Sequence, residues 1–402
     1  MPTPFDFNPF DEDTRRNPYA LYARGRAEFP VFVHAGLPIS VVSAFRYDDI
    51  QAVLKDPTQW SNVFPPPPGI ELRPDLPPNM LNLDPPEHTR LRGLVNQAFT
   101  PRIVRQLEPR MERIAHELLD SALAARRVDL VQALSYPLPV IVIAEMIGVP
   151  IDDREQFKHW SDALVEDLGV GILTPPTVEV MHKQIRIVDE MRVYFTRLVD
   201  ERRTAPREDL LSGLIAAESE GSRLTFDEML QMLILLLVAG NETTTTLIGN
   251  AAITLMEHPD QLAHLRADLD LMPTAIDEVL RFSSPIQLTV RRAKTATTIR
   301  GHHVDEGTNV VLWLGSANRD EQVFEHPDTF DVARVNNYHL AFGFGPHFCL
   351  GSNLARVEAR VAMRVLLQRT RGLRRSDDAP LPLHPSFIFR SVTSLPVELV
   401  PA

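Results

Sequence analysis

The segment from Thr225 to Glu257 constrains this chain most. Thr225-Phe226-Asp227-Glu228 is a capping box, a hydroxyl residue followed three positions later by a glutamate. It predicts a helix of 32 residues ending before His258-Pro259, roughly 48 Å long at about 1.5 Å per residue. A helix this long and this apolar must cross the interior of a domain. Its middle departs from that pattern. Ala239-Gly240-Asn241-Glu242-Thr243-Thr244-Thr245-Thr246 places an acid and four β-branched hydroxyl residues where leucine would serve better. Thr243 is positioned to bond the carbonyl of Ala239 and to bend or widen the helix there. Gly240 leaves room for something to approach the backbone. The stretch reads either as a polar patch on a wet interface or as a proton-handling pair, Glu242 and Thr243, beside a pocket.

The helical period dominates elsewhere too. Pro101 to Leu123 and Leu350 to Leu367 carry apolar residues three and four apart, as amphipathic helices do. Strand signals are few. Ile39-Ser40-Val41-Val42 and Asn309 to Trp313 are the clearest, the second after a Gly307-Thr308 turn. The fold class is therefore mainly α with small β-sheets. Two stretches read as irregular: Pro65 to Pro86, with nine prolines in 22 residues, and Leu168 to Thr177. Both read as solvent loops or lids.

Composition narrows the chemistry. The single cysteine in 402 residues excludes an internal disulfide and any multi-cysteine zinc or iron–sulfur site. A buried inert thiol, a nucleophile or a single axial metal ligand remain. A net charge of −12 argues against nucleic acid, which needs a basic surface. The N-terminal residues lack a signal-peptide pattern. The apolar run Met232 to Gly240 is far shorter than the roughly 20 residues that span a bilayer. These features point to a cytoplasmic protein without a membrane anchor. Length alone suggests two or three domains at roughly 150 residues each.

The cysteine lies in Phe342-Gly343-Phe344-Gly345-Pro346-His347-Phe348-Cys349-Leu350-Gly351. Glycines 343 and 345 permit tight turns and close approach to a flat partner. Cys349 precedes a helix expected to start near Leu350, whose N–H groups and dipole favour a thiolate and would tune a metal bound to it. Phe342, Phe344 and Phe348 are placed to wall a large planar cofactor.

This loop resembles the haem-binding signature of the cytochrome P450 family, Phe-x-x-Gly-x-x-x-Cys-x-Gly, at Phe342, Gly345, Cys349 and Gly351. Ala239 to Thr244 is similar to the family's oxygen-activating helix motif, with Glu242 where an aspartate is equally familiar. Glu278-Val279-Leu280-Arg281 matches its Glu-x-x-Arg, and Phe330 to Arg334 resembles the segment completing a Glu-Arg-Arg cluster. Asp84 to Arg92 looks like the start of the helix beside the haem. Order and spacing agree from Asn17-Pro18-Tyr19 to Leu395-Pro396-Val397.

The resemblance implies one haem-centred domain over residues 1–402, with a long central helix crossing a buried haem b. It implies Cys349 as axial iron ligand, Thr243 and Glu242 as the catalytic proton-handling pair, and Ala239, Gly240, Phe342 and Gly343 lining the cofactor. His88, Arg92, Arg291 and His347 are implied partners of the haem propionates, which want buried cations. Arg291 is preferred to Arg292 because the family pattern reads Arg-x-Ala, here through Ala293. Glu278, Arg281 and Arg334 are implied to be structural.

The activity so implied is insertion of one oxygen atom from O2 into a hydrophobic small molecule. No dinucleotide fingerprint follows a strand, so electrons are expected from a separate ferredoxin or flavodoxin with an NAD(P)H-dependent reductase. Arg90, Arg92, Arg356 and Arg360 are candidates for docking an acidic partner. A peroxide-driven peroxygenase would not need the acid–threonine pair, and a haem gas sensor would need no proton relay. The pocket wall is expected from Pro65–Leu83, 165–180, Leu235 to Thr243, Ile286 to Val290 and Ser391 to Ser394, and is largely apolar.

Overall fold

The computed structural model describes residues 5, 7–34, 39–65, 77–97, 99–165, 177–219 and 222–402. The Pro65–Leu83 loop and the 165–180 region therefore lie largely outside the described residues, as does most of Leu168 to Thr177.

The central helix runs unbroken from Phe226 to Glu257, and both halves of its capping box are made. By length and composition it could cross a membrane, but about two thirds of its most apolar window is buried inside the protein. It packs against the helices Pro137–Ile147 and Ser352–Arg369, and Ser352–Arg369 packs in turn on Pro101–Ala125. These helices share one large aliphatic core that includes Leu233, Leu237, Ile248, Ile143, Met111 and Val361. An all-round apolar helix needs neighbours on every side, and this arrangement supplies them.

The polar residues in the middle of the central helix are individually satisfied. Asn241 Nδ2 donates to Ser161 Oγ at 2.7 Å and Thr246 Oγ1 to Ser391 Oγ at 2.9 Å. Asn250 Nδ2 donates to the carbonyls of Ser283 and Arg390, each at 2.9 Å. Each bond offsets the desolvation of a buried polar group. The Thr243 hydroxyl donates to the Ala239 carbonyl at 2.7 Å, as its spacing predicts, and the helix stays α-helical through that turn.

A five-stranded sheet flanks the helices, in the order Val31–His34, Val41–Ala44, Asn309–Leu312, Thr289–Ala293, Trp60–Ser61. Asn309–Leu312 runs parallel to Val41–Ala44 and antiparallel to Thr289–Ala293, which sets Val310 opposite Arg291. Both strands read from the sequence are present, the first beginning at Val41 and not Ile39. A second sheet joins Thr370–Arg375, Pro396–Pro401 and Arg127–Asp129.

The chain's two ends meet. The guanidinium of Arg15 donates to the His384 carbonyl, and Arg16 Nη1 donates to the Leu381 carbonyl at 3.0 Å. The segment they hold doubles back on itself, with His384 N bonded to Ser391 O and Thr393 N to Pro382 O, both at 2.9 Å.

Candidate active site

Cys349 lies on a loop whose shape depends on two glycines. Gly343 and Gly345 adopt φ of +69° and +72°, a region that side chains rarely visit. A Cβ on Gly345 would stand 2.4 Å from the Leu54 carbonyl, so the loop presses directly on neighbouring backbone. The Cys349 N–H donates to the Phe342 carbonyl at 2.9 Å, closing the loop. The following helix begins at Ser352, two residues later than its apolar spacing suggests, with Gly351 as N-cap.

The half-buried thiol is pushed up in pKa, not down. Burial is the largest influence. The N–H groups of Gly351 and Ser352 and the guanidinium groups of Arg92 and Arg356 oppose it without overcoming it. Lone helix-terminus dipoles do not outweigh desolvation here. The aromatics divide. Phe342 stays beside the cysteine, 6.3 Å from the Phe348 ring and under Arg356, while Phe348 is 40% exposed. Phe344 instead packs against the sheet-side core, so the loop does not present three aromatic walls to one partner.

Four cationic or potentially cationic side chains converge nearby. His88, on the helix Glu87–Asn96, is buried, and neither ring nitrogen has a hydrogen-bond partner. The His347 ring centroid lies 3.9 Å from that of His88. Arg291 is also buried. Nη1 donates to the Val290 carbonyl at 2.8 Å, and no carboxylate pairs with it among the described residues. Arg92 donates to the Phe348 carbonyl at 2.6 Å and to Asn96 at 3.3 Å.

Desolvation depresses all four, with mutual repulsion adding to it at the histidines. His347 falls to about 3 through burial and then His88 and Arg291, and Arg291 falls to about 10 through burial. His88 and Arg92 are lowered chiefly by burial too. An unpaired buried cation is costly, so this recess fits an anion. Strand alternation separates Arg291 from Arg292, whose Nη2 stands 2.8 Å from where a Cβ on Gly307 would sit.

Ala239 is exposed in the middle of the otherwise buried central helix, which marks an open face there. Thr243 is one turn further along that face. Gly240 follows directly and is half-buried. A Cβ there would meet Ile143 at 3.9 Å, an ordinary contact on the Pro137–Ile147 side.

Glu242 is nearly buried, and desolvation pushes its carboxyl up to about 7; a hydrogen bond from Thr246 opposes this and the nearby Asp162 carboxylate adds to it. It lines a cavity of about 490 Å³ together with Tyr136, Lys158, Asp162, Lys183 and His384. Tyr136, Asp162 and His384 are ionisable neighbours of Glu242 that no local sequence pattern connects to it. Burial and Asp162 raise the Tyr136 phenol strongly. A further buried acid, Glu358 on Ser352–Arg369, is pushed well up by burial and has Thr244 as its hydrogen-bond partner.

Beneath the cysteine loop, Glu278 and Arg281 form a fully buried bidentate pair with N–O distances of 2.7 and 2.8 Å. Arg334 Nε adds a third contact to Glu278 at 3.0 Å. The arginines then donate to the carbonyls of Asn318, Pro327, Thr329 and Glu325, so the triad ties several loops together. Three of the four arginines considered for docking are engaged by acids: Arg90 by Glu228, Arg356 by Asp277 at 2.7 Å and Arg360 by Glu108 at 2.6 Å. Local neutralisation leaves that face less basic than its arginine count suggests.

The sequence matches the family description "Cytochrome P450" over residues 2–394. It is 40% identical over 409 residues to the cytochrome P450 monooxygenase PikC of Streptomyces venezuelae, covering 99% of this chain and 94% of that one. The fold is similar to that of CYP109Q5 from Chondromyces apiculatus, with a TM-score of 0.89, 41% identity and 99% of each chain covered. CYP109E1 from Bacillus megaterium, solved in complex with corticosterone, gives a TM-score of 0.86 at 38% identity, covering 96% of this chain and 99% of that one. The chain belongs to the cytochrome P450 family of haem-thiolate monooxygenases.

Proposed function

We propose that this protein is one haem-centred domain in which Cys349 is the axial ligand of haem b. His88, Arg92, Arg291 and His347 would hold its propionates. One observation carries this reading: a buried histidine with two unpartnered nitrogens stands beside a buried arginine that, among the described residues, has no carboxylate within ion-pair distance. Two propionate groups supply the missing anions. Ala239, Gly240, Phe342 and Gly343 line the cofactor in this reading.

Thiolate-ligated haem supplies oxygen activation, because the thiolate pushes electron density toward O–O cleavage. The reaction consumes O2, two electrons, two protons and R–H, and releases R–OH and water. The chain's own residues manage the protons. The Thr243 hydroxyl sits on the open face of the central helix, and Glu242 beside it carries a carboxyl poised near neutrality. Electrons come from a separate ferredoxin or flavodoxin served by an NAD(P)H-dependent reductase, which meets the face carrying Arg92 and the cysteine loop. The substrate is a hydrophobic small molecule. The corticosterone complex of CYP109E1 makes rigid polycyclic lipids the first class to screen. Burial of most of the central helix supports its being a core helix and not a membrane span.

The decisive experiment is the reduced carbon monoxide difference spectrum of the purified protein beside that of Cys349→Ser. A red-shifted thiolate-type band that vanishes in the variant supports the assignment. Its absence in the wild-type protein overturns it.

A further inference from the structure

Glu242 has a neighbour that the family resemblance does not assign. His384 Nε2 stands 3.7 Å from Glu242 Oε1, and both line the 490 Å³ cavity behind the central helix. That separation is just too long for a hydrogen bond, so docking requires the two side chains to close by about half an ångström. The His384 ring is buried and its tautomer is fixed. Nδ1 accepts the Ser386 N–H at 3.1 Å, so a neutral imidazole carries its proton on Nε2, facing Glu242. Burial, and then Arg15, keep the ring neutral by lowering its pKa.

The ring is also held in place. Arg15 grips the His384 carbonyl, and His384 N bonds Ser391 O at 2.9 Å. The same folded-back segment reaches Glu242 a second way, through Thr246, whose hydroxyl lies 2.9 Å from Ser391 Oγ and 3.4 Å from Glu242 Oε1.

We propose that His384 is a positioning residue for Glu242: its Nε2–H docks the ionised carboxylate on the cavity side, where water returns the proton. A charge-assisted hydrogen bond to a carboxylate is about twice as strong as one to a neutral carboxyl. The bond therefore holds Glu242 while it is ionised and weakens once it is reprotonated, freeing the side chain to turn toward Thr243. The cavity is far larger than one water needs. Asp162, Lys158 and His159 on Arg154–Val165, Tyr136 ahead of Pro137–Ile147, and Lys183 on Val178–Thr204 face the same space. Within ion-pair distance of Glu242, among the described residues, stands His384. This inference rests on Glu242 being the proton donor.

The test is an infrared pH titration of the holoenzyme. The Glu242 carboxyl stretch is identified by its loss in Glu242→Gln. His384→Leu should move its midpoint upward by about one pH unit, the scale of one lost hydrogen bond to a carboxylate. His384→Gln, which keeps an N–H donor, should restore most of it. An unshifted midpoint in His384→Leu overturns the proposal. Histidine-labelled nitrogen NMR of the wild-type ferrous carbon monoxide complex provides a check without substitution at His384. The Nε2–H tautomer, sensing the Glu242 midpoint, is expected; the Nδ1–H tautomer overturns the proposal. The underlying reading fails separately, if Glu242→Gln retains wild-type coupling and solvent isotope effect.

Discussion

The imidazoles of His88 and His347 face each other with centroids 3.9 Å apart at an interplanar angle of 34°, neither forms an ion pair with a carboxylate among the described residues, and the nearby Asp84 only partly offsets their burial. Two basic rings this close, with Arg291 beside them, oppose each other's protonation. Such an arrangement weakens the empty protein in order to bind an anionic group.

Removing one of these cations should therefore have opposite effects on the two forms. Arg291→Leu should stabilise or leave unchanged the haem-free protein, while haem dissociates on the order of 100-fold faster or more, the scale of a broken buried ion pair. Thermal melts of the haem-free form and transfer of haem to an excess of apomyoglobin would measure both. A variant that loses stability in the haem-free form but keeps its haem contradicts the assignment.

The Glu278 triad should behave in the other sense. Glu278→Ala strands two arginines, one of them fully buried, and should cost roughly 3–5 kcal/mol. Because the triad joins the loops beneath Cys349, the variant should fail to hold haem even where it folds. A stable, fully coloured Glu278→Ala protein would show that the network is dispensable.

In the proposed reading Glu242 should link pH to both stability and turnover. Its folded pKa of about 7 lies above the ordinary 4.5. The folded state thus binds the proton more tightly than the unfolded state. The associated stability is fully present below about 4.5 and is lost as pH rises through about 7. Glu242→Gln should remove that loss and melt higher than wild type at pH 8, by up to about 3 kcal/mol. In turnover assays, the wild-type proton-dependent step should decline above pH 7, and the variant should be slow at every pH.

Thr243→Ala removes the hydroxyl that caps the Ala239 carbonyl on the open helix face. The protein should still consume oxygen and NAD(P)H with a redox partner but release peroxide in place of product. Thr243→Ser should recover much of the coupling. Peroxide and product assayed together decide the matter, and full coupling in Thr243→Ala removes the residue from the proton path.

Burial pushes the Glu358 carboxyl well above the ordinary carboxylate range, which favours its neutral form. Glu358→Gln replaces a neutral acid by a neutral amide of nearly the same shape beside Thr244, so the melting temperature at pH 7 should hardly change. A large drop would show that the carboxyl is ionised and paired.

The local patterns were readable from the sequence because their physics is local. A capping box, three glycines around a cysteine and a Glu-x-x-Arg turn each act within a few residues. The central helix starts and ends as its sequence predicts. Long-range placement was not readable. Nothing near His384 in the sequence indicates that a folded-back segment brings it to Glu242, 142 positions earlier. Phe344 has the composition of a cofactor wall, but the turn at Gly345 aims it into the sheet-side core. Gly240 reads as a gap for the cofactor, and the ordinary 3.9 Å contact that a Cβ there would make with Ile143 emerges only once the helices are packed. The docking arginines read as free charges because their acidic partners come from distant helices.

The grip of Arg15 and Arg16 on the segment around His384 sets an order of events during synthesis. Arg15 and Arg16 cannot reach their partners until residues 381–384 have left the ribosome. Cys349 and His347 also emerge late, after His88 and the central helix. In the proposed reading the haem site is completed only after the largest apolar helix has emerged, so haem capture is expected late in maturation.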